Sequence, residues 1–190
     1  MCLSPEYYAQ EVRCKLGLAG PINIVEAARD LGVDVCEEAL EGSDGILLKV
    51  EGNAVILINS NCVYETRKRF TIAHEIGHFY MPHHNLGKFV CTISDIPGYV
   101  PDGKLEQEAN RFAGELLLPL HELEGQLKHP PSIDTVRRIA THYGTSLTAT
   151  ALKVVEATCE PRSQENRKRL RTTNPPQNAH GYDLVVHGYI

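Results

Sequence analysis

The stretch "RFTIAHEIGHFYMPHH", Arg69–His84, holds four of the nine histidines of this 190-residue chain. Within it, His74, Glu75 and His78 form the pattern H-E-x-x-H. On a helix, residues i and i+4 lie on one face about 6 Å apart, so both imidazoles can reach a single ion. Glu75 lies beside the first histidine, where a carboxylate can act as a general base. The stretch therefore predicts a helix that carries a zinc site.

The context of the motif matters because a shuffled chain of this composition contains H-E-x-x-H with an expectation of about 0.04. Apolar residues at helical spacing predict a helix over about 64–81, and Pro82 marks its end. Gly77 in mid-helix costs about 1 kcal/mol of helix propensity relative to alanine and indicates that another element passes close by. A metal site also needs a third ligand from elsewhere in the chain.

A candidate third ligand lies in "LEQEANRFAGELLLP", Leu105–Pro119. A helix here places Glu106 and Asn110 on one face, with alanines that allow close approach to the first helix. Glu106 can complete a His2Glu set with the fourth position left to water, and Asn110 suits a hydrogen bond that orients a ligand histidine. Glu108, about 200° around the helix from Glu106, is the competing ligand. An ordinary amphipathic helix with solvated glutamates is the alternative.

The segments "RFTIAHEIGHFY" and "EQEANRFAGELLLP" resemble the ImmA/IrrE family of zinc metallopeptidases. Its pattern joins an H-E-x-x-H helix to an E-x-x-A-N-x-F-A helix that ends in a Leu-Leu-x-Pro-like stretch. The resemblance extends downstream to about Ala157. It implies a zincin-like fold with one Zn²⁺ per chain, held by His74, His78 and Glu106, and with Glu75 as the general base.

The resemblance also implies a function. Members of this family typically cleave a helix-turn-helix repressor and so derepress genes of stress responses, mobile elements or phage defence. We therefore expect a zinc-dependent endopeptidase with a protein substrate. The alternative is a regulator that binds DNA or sequesters a repressor, with a structural zinc and no proteolysis.

Short β-rich segments precede the histidine stretch and predict a small antiparallel sheet packed on the active-site helix. They are "VDVCE" from Val33, "GILLKV" from Gly45 and "NAVILINS" from Asn53. The last two are joined by a hairpin turn, and helical segments follow, which is the order of an α+β fold. Either of these two strands could be an exposed edge that takes the substrate as an added strand, or a buried strand without substrate contact.

Changes in composition divide the chain into three parts. We expect a zincin-like metallopeptidase domain over 1–128 and a helical, helix-turn-helix-like segment over 129–158 packed on it. Residues 159–190 are polar and basic, with Pro-Pro and a possible terminal strand, and predict a tail or linker.

The helical pair in "IDTVRRIATHYGTSLTATALKVV", 133–155, has the spacing of a helix-turn-helix. Its second helix lacks Arg, Asn and Gln to read base edges, which favours a pair that packs on the peptidase or docks its substrate. The tail keeps open a contact with nucleic acid or an acidic partner. That contact would use Arg162, Arg167, Lys168, Arg169 and Arg171.

The donor that stabilises the reaction's oxyanion stays open at the level of sequence. His83 and His84 follow Pro82, where a solvated helix end is the simpler interpretation. The candidates are Tyr80, His83, His84, His142 and Tyr143.

Cys91 suggests a regulatory hypothesis, because it lies between the two predicted ligand-bearing helices, 13 residues after His78. A thiolate there could take the fourth zinc position and hold the peptidase latent. An ordinary buried thiol is the favoured alternative.

Composition limits the other function classes. A net charge of −5 and a pI near 6.0 argue against bulk, charge-driven binding to nucleic acid or an anionic membrane. The six cysteines form no CxxC pair, and no apolar run approaches the roughly 20 residues of a membrane span. We expect a cytoplasmic protein with free thiols and no membrane contact.

Overall fold

Helices precede and follow a small sheet in the computed structural model, which describes residues 3–50, 52–86, 103–124, 126–127 and 131–159. This order confirms the predicted α+β class. The elements are α1 (Pro5–Lys15), α2 (Ile24–Asp30), β1 (Val33–Glu38), β2 (Gly45–Val50), β3 (Asn53–Asn59), α3 (Glu65–Tyr80), a 3-10 turn (Pro82–Leu86), α4 (Gly103–Leu117), α5 (Leu120–Glu124), α6 (Ile133–Tyr143) and α7 (Leu147–Cys159).

The sheet is mixed, with the strand order β1-β3-β2. β2 and β3 form the predicted antiparallel hairpin, with Gly45 opposite Ile58. β1 instead pairs in parallel with β3, with Val33 opposite Ala54, so the prediction of a purely antiparallel sheet is wrong for β1. Because β3 is bonded on both sides, "NAVILINS" is not an exposed edge, and of the two candidate strands only "GILLKV" keeps that alternative open. β2 remains an edge among the described strands.

The connection between β1 and β2 explains the parallel pairing. It passes the end of β3, where the side-chain amide of Asn59 donates to the carbonyls of Leu40 and Ser43 at 2.8 and 2.7 Å. β1 therefore lies on the far side of β3 instead of forming a hairpin with β2. The alternation of burial along β3 points Ala54, Ile56 and Ile58 into the main core.

α3 packs on β2 and β3 and lies against α4. The approach of α3 and α4 is close at Gly77, where an added Cβ would lie 3.0 Å from Cδ1 of Phe112. Phe112 is fully buried, so the glycine allows the two backbones to meet. α4 is thus the element whose close passage Gly77 indicated.

Buried ion pairs connect α1 to α5 and α7 to α4. Arg13 of α1, 3% exposed, pairs with Glu122 of α5 at 2.8 Å and donates to the carbonyl of Leu116 at 2.8 Å. Lys153 of α7 pairs with the buried Glu115 of α4 at 2.9 Å. A side chain of α7 therefore contacts the helix that carries the candidate third ligand.

A second cluster of buried apolar residues unites α5, α6 and α7. Its residues come from both sides of the predicted domain boundary at residue 128. The division of the chain at that residue stays a prediction. No described helix is long and apolar enough to cross a lipid bilayer. The cluster consists of Leu118, Leu123, Val136, Ile139, Tyr143 and Val154.

Candidate metal centre

Two packed helices bring together the three predicted ligands. α3 carries His74 and His78 one turn apart, and their Nε2 atoms lie 2.8 Å from each other. Glu106 in the first turns of α4 places Oε2 3.4 Å from His74 Nε2 and Oε1 3.6 Å from His78 Nε2. Both imidazoles are buried, whereas the Glu106 side chain retains 18% exposure. One ligand atom from each of the three residues thus lies within 4.8 Å of the others.

Asn110, one turn after Glu106 on α4, accounts for the orientation of His74. Its Oδ1 lies 2.9 Å from His74 Nδ1. An amide oxygen can only accept a hydrogen bond, so Nδ1 carries the proton. The neutral ring then presents the lone pair of Nε2 to His78 and Glu106, which is the form in which histidine binds metals.

The donor set fits a divalent cation. Ligand atoms about 2.0–2.1 Å from a tetrahedral zinc ion are about 3.3–3.4 Å from one another, and the three distances here are 2.8, 3.4 and 3.6 Å. Burial, and then the neighbouring charges of His84 and Lys49, hold the pKa of His78 well below 6.5. His78 is therefore neutral near pH 7, as a metal ligand must be.

Glu75 is fully buried next to His74, and its carboxyl oxygens have no hydrogen-bond partner among the described residues. Burial, followed by the charge of Glu106, raises the pKa of Glu75 well above 4.5. Leaving a buried polar group unsatisfied costs roughly 1–3 kcal/mol, and such groups often indicate a functional site. A carboxylate with a raised pKa is also a stronger base, which suits the predicted proton acceptor.

A second polar cluster, formed by His83, His84 and Glu108, lies on the Nδ1 side of His78. Nε2 of His83 is 2.6 Å, and Nε2 of His84 3.3 Å, from Oε2 of Glu108. Nδ1 of His84 lies 2.9 Å from Nδ1 of His78. Glu108, the competing ligand in the sequence, thus faces the turn after α3 and not His74.

The interpretation of His84 as part of a solvated helix end is wrong, because it is 1% exposed. The 3-10 turn after Pro82 folds this imidazole back against His78. Burial lowers the pKa of His84 despite its bond to Glu108, so this ring is also neutral near pH 7. Burial raises the pKa of Glu108, but the hydrogen bonds of His83 and His84 outweigh it and keep the pKa below 4.5.

Other candidates for the oxyanion donor are engaged elsewhere. The hydroxyl of Tyr80 donates to Glu11 of α1 at 3.2 Å, and that of Tyr143 donates to Glu122 at 2.8 Å. His142 is exposed on α6 and packs edge-on against Tyr143. These three residues therefore have structural partners outside the two histidine clusters.

Lys49 is a residue of the site that sequence reasoning missed. It lies on β2, is 5% exposed, and places Nζ 5.0 Å from the ring centroid of Phe79. Burial lowers its pKa to about 8, and its charge contributes to the low pKa of His78. The signal in the sequence was a single cation inside the apolar strand "GILLKV".

The basic residues before the motif make intramolecular contacts. Arg67 pairs with Asp44, and Lys68 pairs with Glu37 at 2.7 Å. Arg69 donates to backbone carbonyls on two other segments. Cys91 and the basic residues of the tail, predicted to regulate and to bind a partner, lie outside the described residues.

Comparison with known proteins identifies the family. The model of the IrrE N-terminal-like domain, Peptidase_M78, matches residues 28–154, more than half of the chain. A search of curated proteins gave no match. The matched span includes α3, α4 and the sheet, and it supports a zincin-like α+β peptidase fold, a metallopeptidase-type function and a metal. The chain therefore belongs to the IrrE N-terminal-like family of peptidases, the ImmA/IrrE family that its two motifs resemble.

Proposed function

We propose that this protein is a zinc-dependent endopeptidase that cleaves a helix-turn-helix transcriptional repressor, derepressing stress, mobile-element or phage-defence genes. His74, His78 and Glu106 hold one zinc ion, and Glu75 is the general base. The observation that carries the proposal is the convergence of these three ligand atoms, from two helices, beside a fully buried carboxyl group.

The chemistry needs an activated water and a polarised peptide carbonyl. Zinc, when bound, supplies both by acting as a Lewis acid. Glu75 accepts the proton of the attacking water as the oxygen bonds to the carbonyl carbon, and it passes this proton to the leaving amine as the C–N bond breaks. Asn110 keeps Nδ1 of His74 protonated, so that Nε2 stays available as a ligand.

The sheet supports a route for the substrate. β2 is an edge of the described sheet and packs against α3. An extended peptide that adds to β2 through main-chain hydrogen bonds would run beside the helix that carries Glu75. This arrangement favours a protein segment that becomes extended at the cleavage site.

The surface of α7 supports a protein partner over a DNA partner. Leu152 and Val155 of this helix are 68% and 56% exposed. Apolar side chains suit contact with another protein, whereas base edges are read mainly by Arg, Asn and Gln. The helical pair therefore offers a docking surface for the substrate on the peptidase.

Incubation of the purified protein with the helix-turn-helix repressors encoded near its gene tests the proposal. We expect zinc-loaded wild type to produce discrete repressor fragments by mass spectrometry. Glu75→Gln should retain zinc but lose at least about 100-fold in cleavage rate, because the general base is removed. Chelator-treated wild type should also be inactive.

His142→Ala is the matched control, since it removes an exposed histidine outside the site and should cleave like wild type. Repressor binding without fragments in every sample would instead support a regulator that sequesters its partner. Cleavage that persists in Glu75→Gln would show that another group is the base.

A further inference from the structure

The cluster beyond the metal centre forms a continuous chain of polar contacts that ends on a ligand. It runs from Oε2 of Glu108 to Nε2 of His84 at 3.3 Å, and from Nδ1 of His84 to Nδ1 of His78 at 2.9 Å. Nε2 of His78 then lies within 2.8 Å of His74 and 3.6 Å of Glu106. The side chain of His84 is 0% exposed, so water does not compete for its ring nitrogens.

The direction of the protons along this chain follows from its acidic end. A carboxylate oxygen can only accept, so His84 donates from Nε2 to Glu108. A single proton lies between the two Nδ1 atoms, 2.9 Å apart, and a metal on Nε2 of His78 requires that proton to belong to His78, so Nδ1 of His84 accepts it. His78 must therefore carry its proton on Nδ1, and its Nε2 is left with a lone pair.

The opposite direction is disfavoured. It would place a proton on Nε2 of His78, where it blocks metal binding. It would also aim the lone pair of His84 Nε2 at the carboxylate of Glu108, 3.3 Å away, so that two acceptors would face each other.

We propose that Glu108 and His84 are positioning residues that hold His78 in the tautomer whose Nε2 faces the metal. This inference rests on the proposed zinc site. Each ligand histidine then has its own acceptor at Nδ1: the amide of Asn110 for His74, and the ring of His84 for His78. Such outer contacts fix the ring and raise the basicity of the ligand.

The same assignment of protons leaves no site for a second metal ion while the first is bound. His83, His84 and Glu108 also have ligand atoms within 4.8 Å of one another. However, Nε2 of His84 carries a proton whenever His78 binds zinc through Nε2, so it has no lone pair for another cation. The structure assigns one zinc ion per chain and a hydrogen-bonding role to the second cluster.

Zinc titration of the full chain against a chromophoric chelator tests the proposal. We expect one tight site in wild type and an affinity about 10- to 100-fold weaker in His84→Phe and in Glu108→Ala. His83→Gln removes a neighbour of Glu108 but leaves the chain to His78 intact, so its affinity should stay within about threefold of wild type. His74→Ala removes a ligand and should abolish tight binding.

Long-range proton–nitrogen NMR of zinc-loaded wild type with ¹⁵N-labelled histidine gives a second, mutation-free test. We expect His78 protonated at Nδ1 and His84 protonated at Nε2. A proton on Nδ1 of His84, unchanged zinc affinity in both variants, or two zinc ions per chain would overturn the proposal. Absence of zinc binding in wild type, or tight binding in His74→Ala, would instead overturn the metal site itself.

Discussion

Asn110 and His84 contact the Nδ1 atoms of His74 and His78, the ring nitrogens that point away from the proposed metal site. These contacts differ in their surroundings, because His84 is buried whereas Asn110 is largely exposed on α4. A partly buried hydrogen bond competes with water more than a buried one does, so the amide of Asn110 should contribute less to zinc affinity than His84 does.

Two substitutions of Asn110 distinguish the loss of the hydrogen-bond acceptor from the mere change of the side chain. Asn110→Ala removes the oxygen that fixes the His74 tautomer, and we expect zinc affinity about tenfold weaker by chelator competition. Asn110→Asp keeps an acceptor at the same distance and should bind zinc at least as tightly as wild type. Equal weakening in both variants would contradict the role of Asn110 as an acceptor.

Spacing along the chain identifies some residues of the site and misses others. The i, i+4 rule places His74 and His78 on one face, and the same rule pairs Glu106 with Asn110. No such spacing rule predicts the contact of His84 with His78, because the turn that begins at Pro82 reverses the chain between them. Its burial depends on tertiary packing, which local periodicity does not report.

At the scale of elements, the contact between α3 and α4 sets the geometry of the three proposed ligands. Gly77→Ala gains about 1 kcal/mol of helix propensity, but its Cβ would lie 3.0 Å from the buried ring of Phe112. Overpacking of this kind costs typically 1–3 kcal/mol. We expect a net loss of roughly 1 kcal/mol of unfolding free energy in denaturant titrations, together with weaker zinc binding.

Gly114 on α4 provides a matched control. Among the described residues, a Cβ there would meet only Cε of Lys153, at an ordinary 3.7 Å. Gly114→Ala should therefore stabilise the protein by up to about 1 kcal/mol through helix propensity. The tight contact between the helices would be refuted if Gly77→Ala were stabilised to the same extent.

The sequence predicts the elements better than their arrangement. Helical periodicity around the two motifs and the β2–β3 hairpin can be read locally, since each depends on neighbours in the chain. The parallel pairing of β1 with β3 cannot be read locally, because it depends on how the connection after Glu38 crosses the end of β3. The hydrogen bonds of Asn59 that hold this crossing have no signature in hydrophobic periodicity.

At the scale of the whole molecule, buried charges connect α1, α4, α5 and α7. Periodicity places charged residues on the surface, so the roles of Arg13, Glu115 and Lys153 were not predictable from sequence. Glu115, for example, contacts Gln10 of α1 at 2.9 Å as well as Lys153 of α7. Loss of one partner would leave the other charge buried and unpaired, which is costly.

Glu122 makes the stability of this assembly depend on pH. Burial raises its pKa, but the hydrogen bond from Tyr143 and the charge of Arg13 outweigh burial and leave the pKa below 4.5. Because the folded-state pKa is lowered, the stabilisation is fully present above about pH 4.5 and is lost as pH falls through the folded-state value. Glu122→Gln should lower the unfolding free energy by roughly 2 kcal/mol at pH 7.

Denaturant unfolding of chelator-treated protein at a series of pH values measures this effect without a contribution from metal release. The difference between wild type and Glu122→Gln should shrink below pH 4.5. Glu41→Gln, at an exposed position, is the control and should match wild type throughout. A difference that stayed constant down to pH 2 would argue against the ionised pair with Arg13.

Arg69 joins the start of the active-site helix to two distant segments through main-chain oxygens: Ile22 at 3.0 Å and Gly144 at 3.2 Å. Because this junction recognises backbone, it does not depend on the side chain at position 22, but Ile22 is 6% exposed in the main core and must stay apolar. Position 144 has no such freedom, because its φ of 62° favours glycine and a Cβ would lie 3.1 Å from the Arg69 guanidinium. Natural variants should therefore carry other apolar residues at position 22 and keep glycine at position 144.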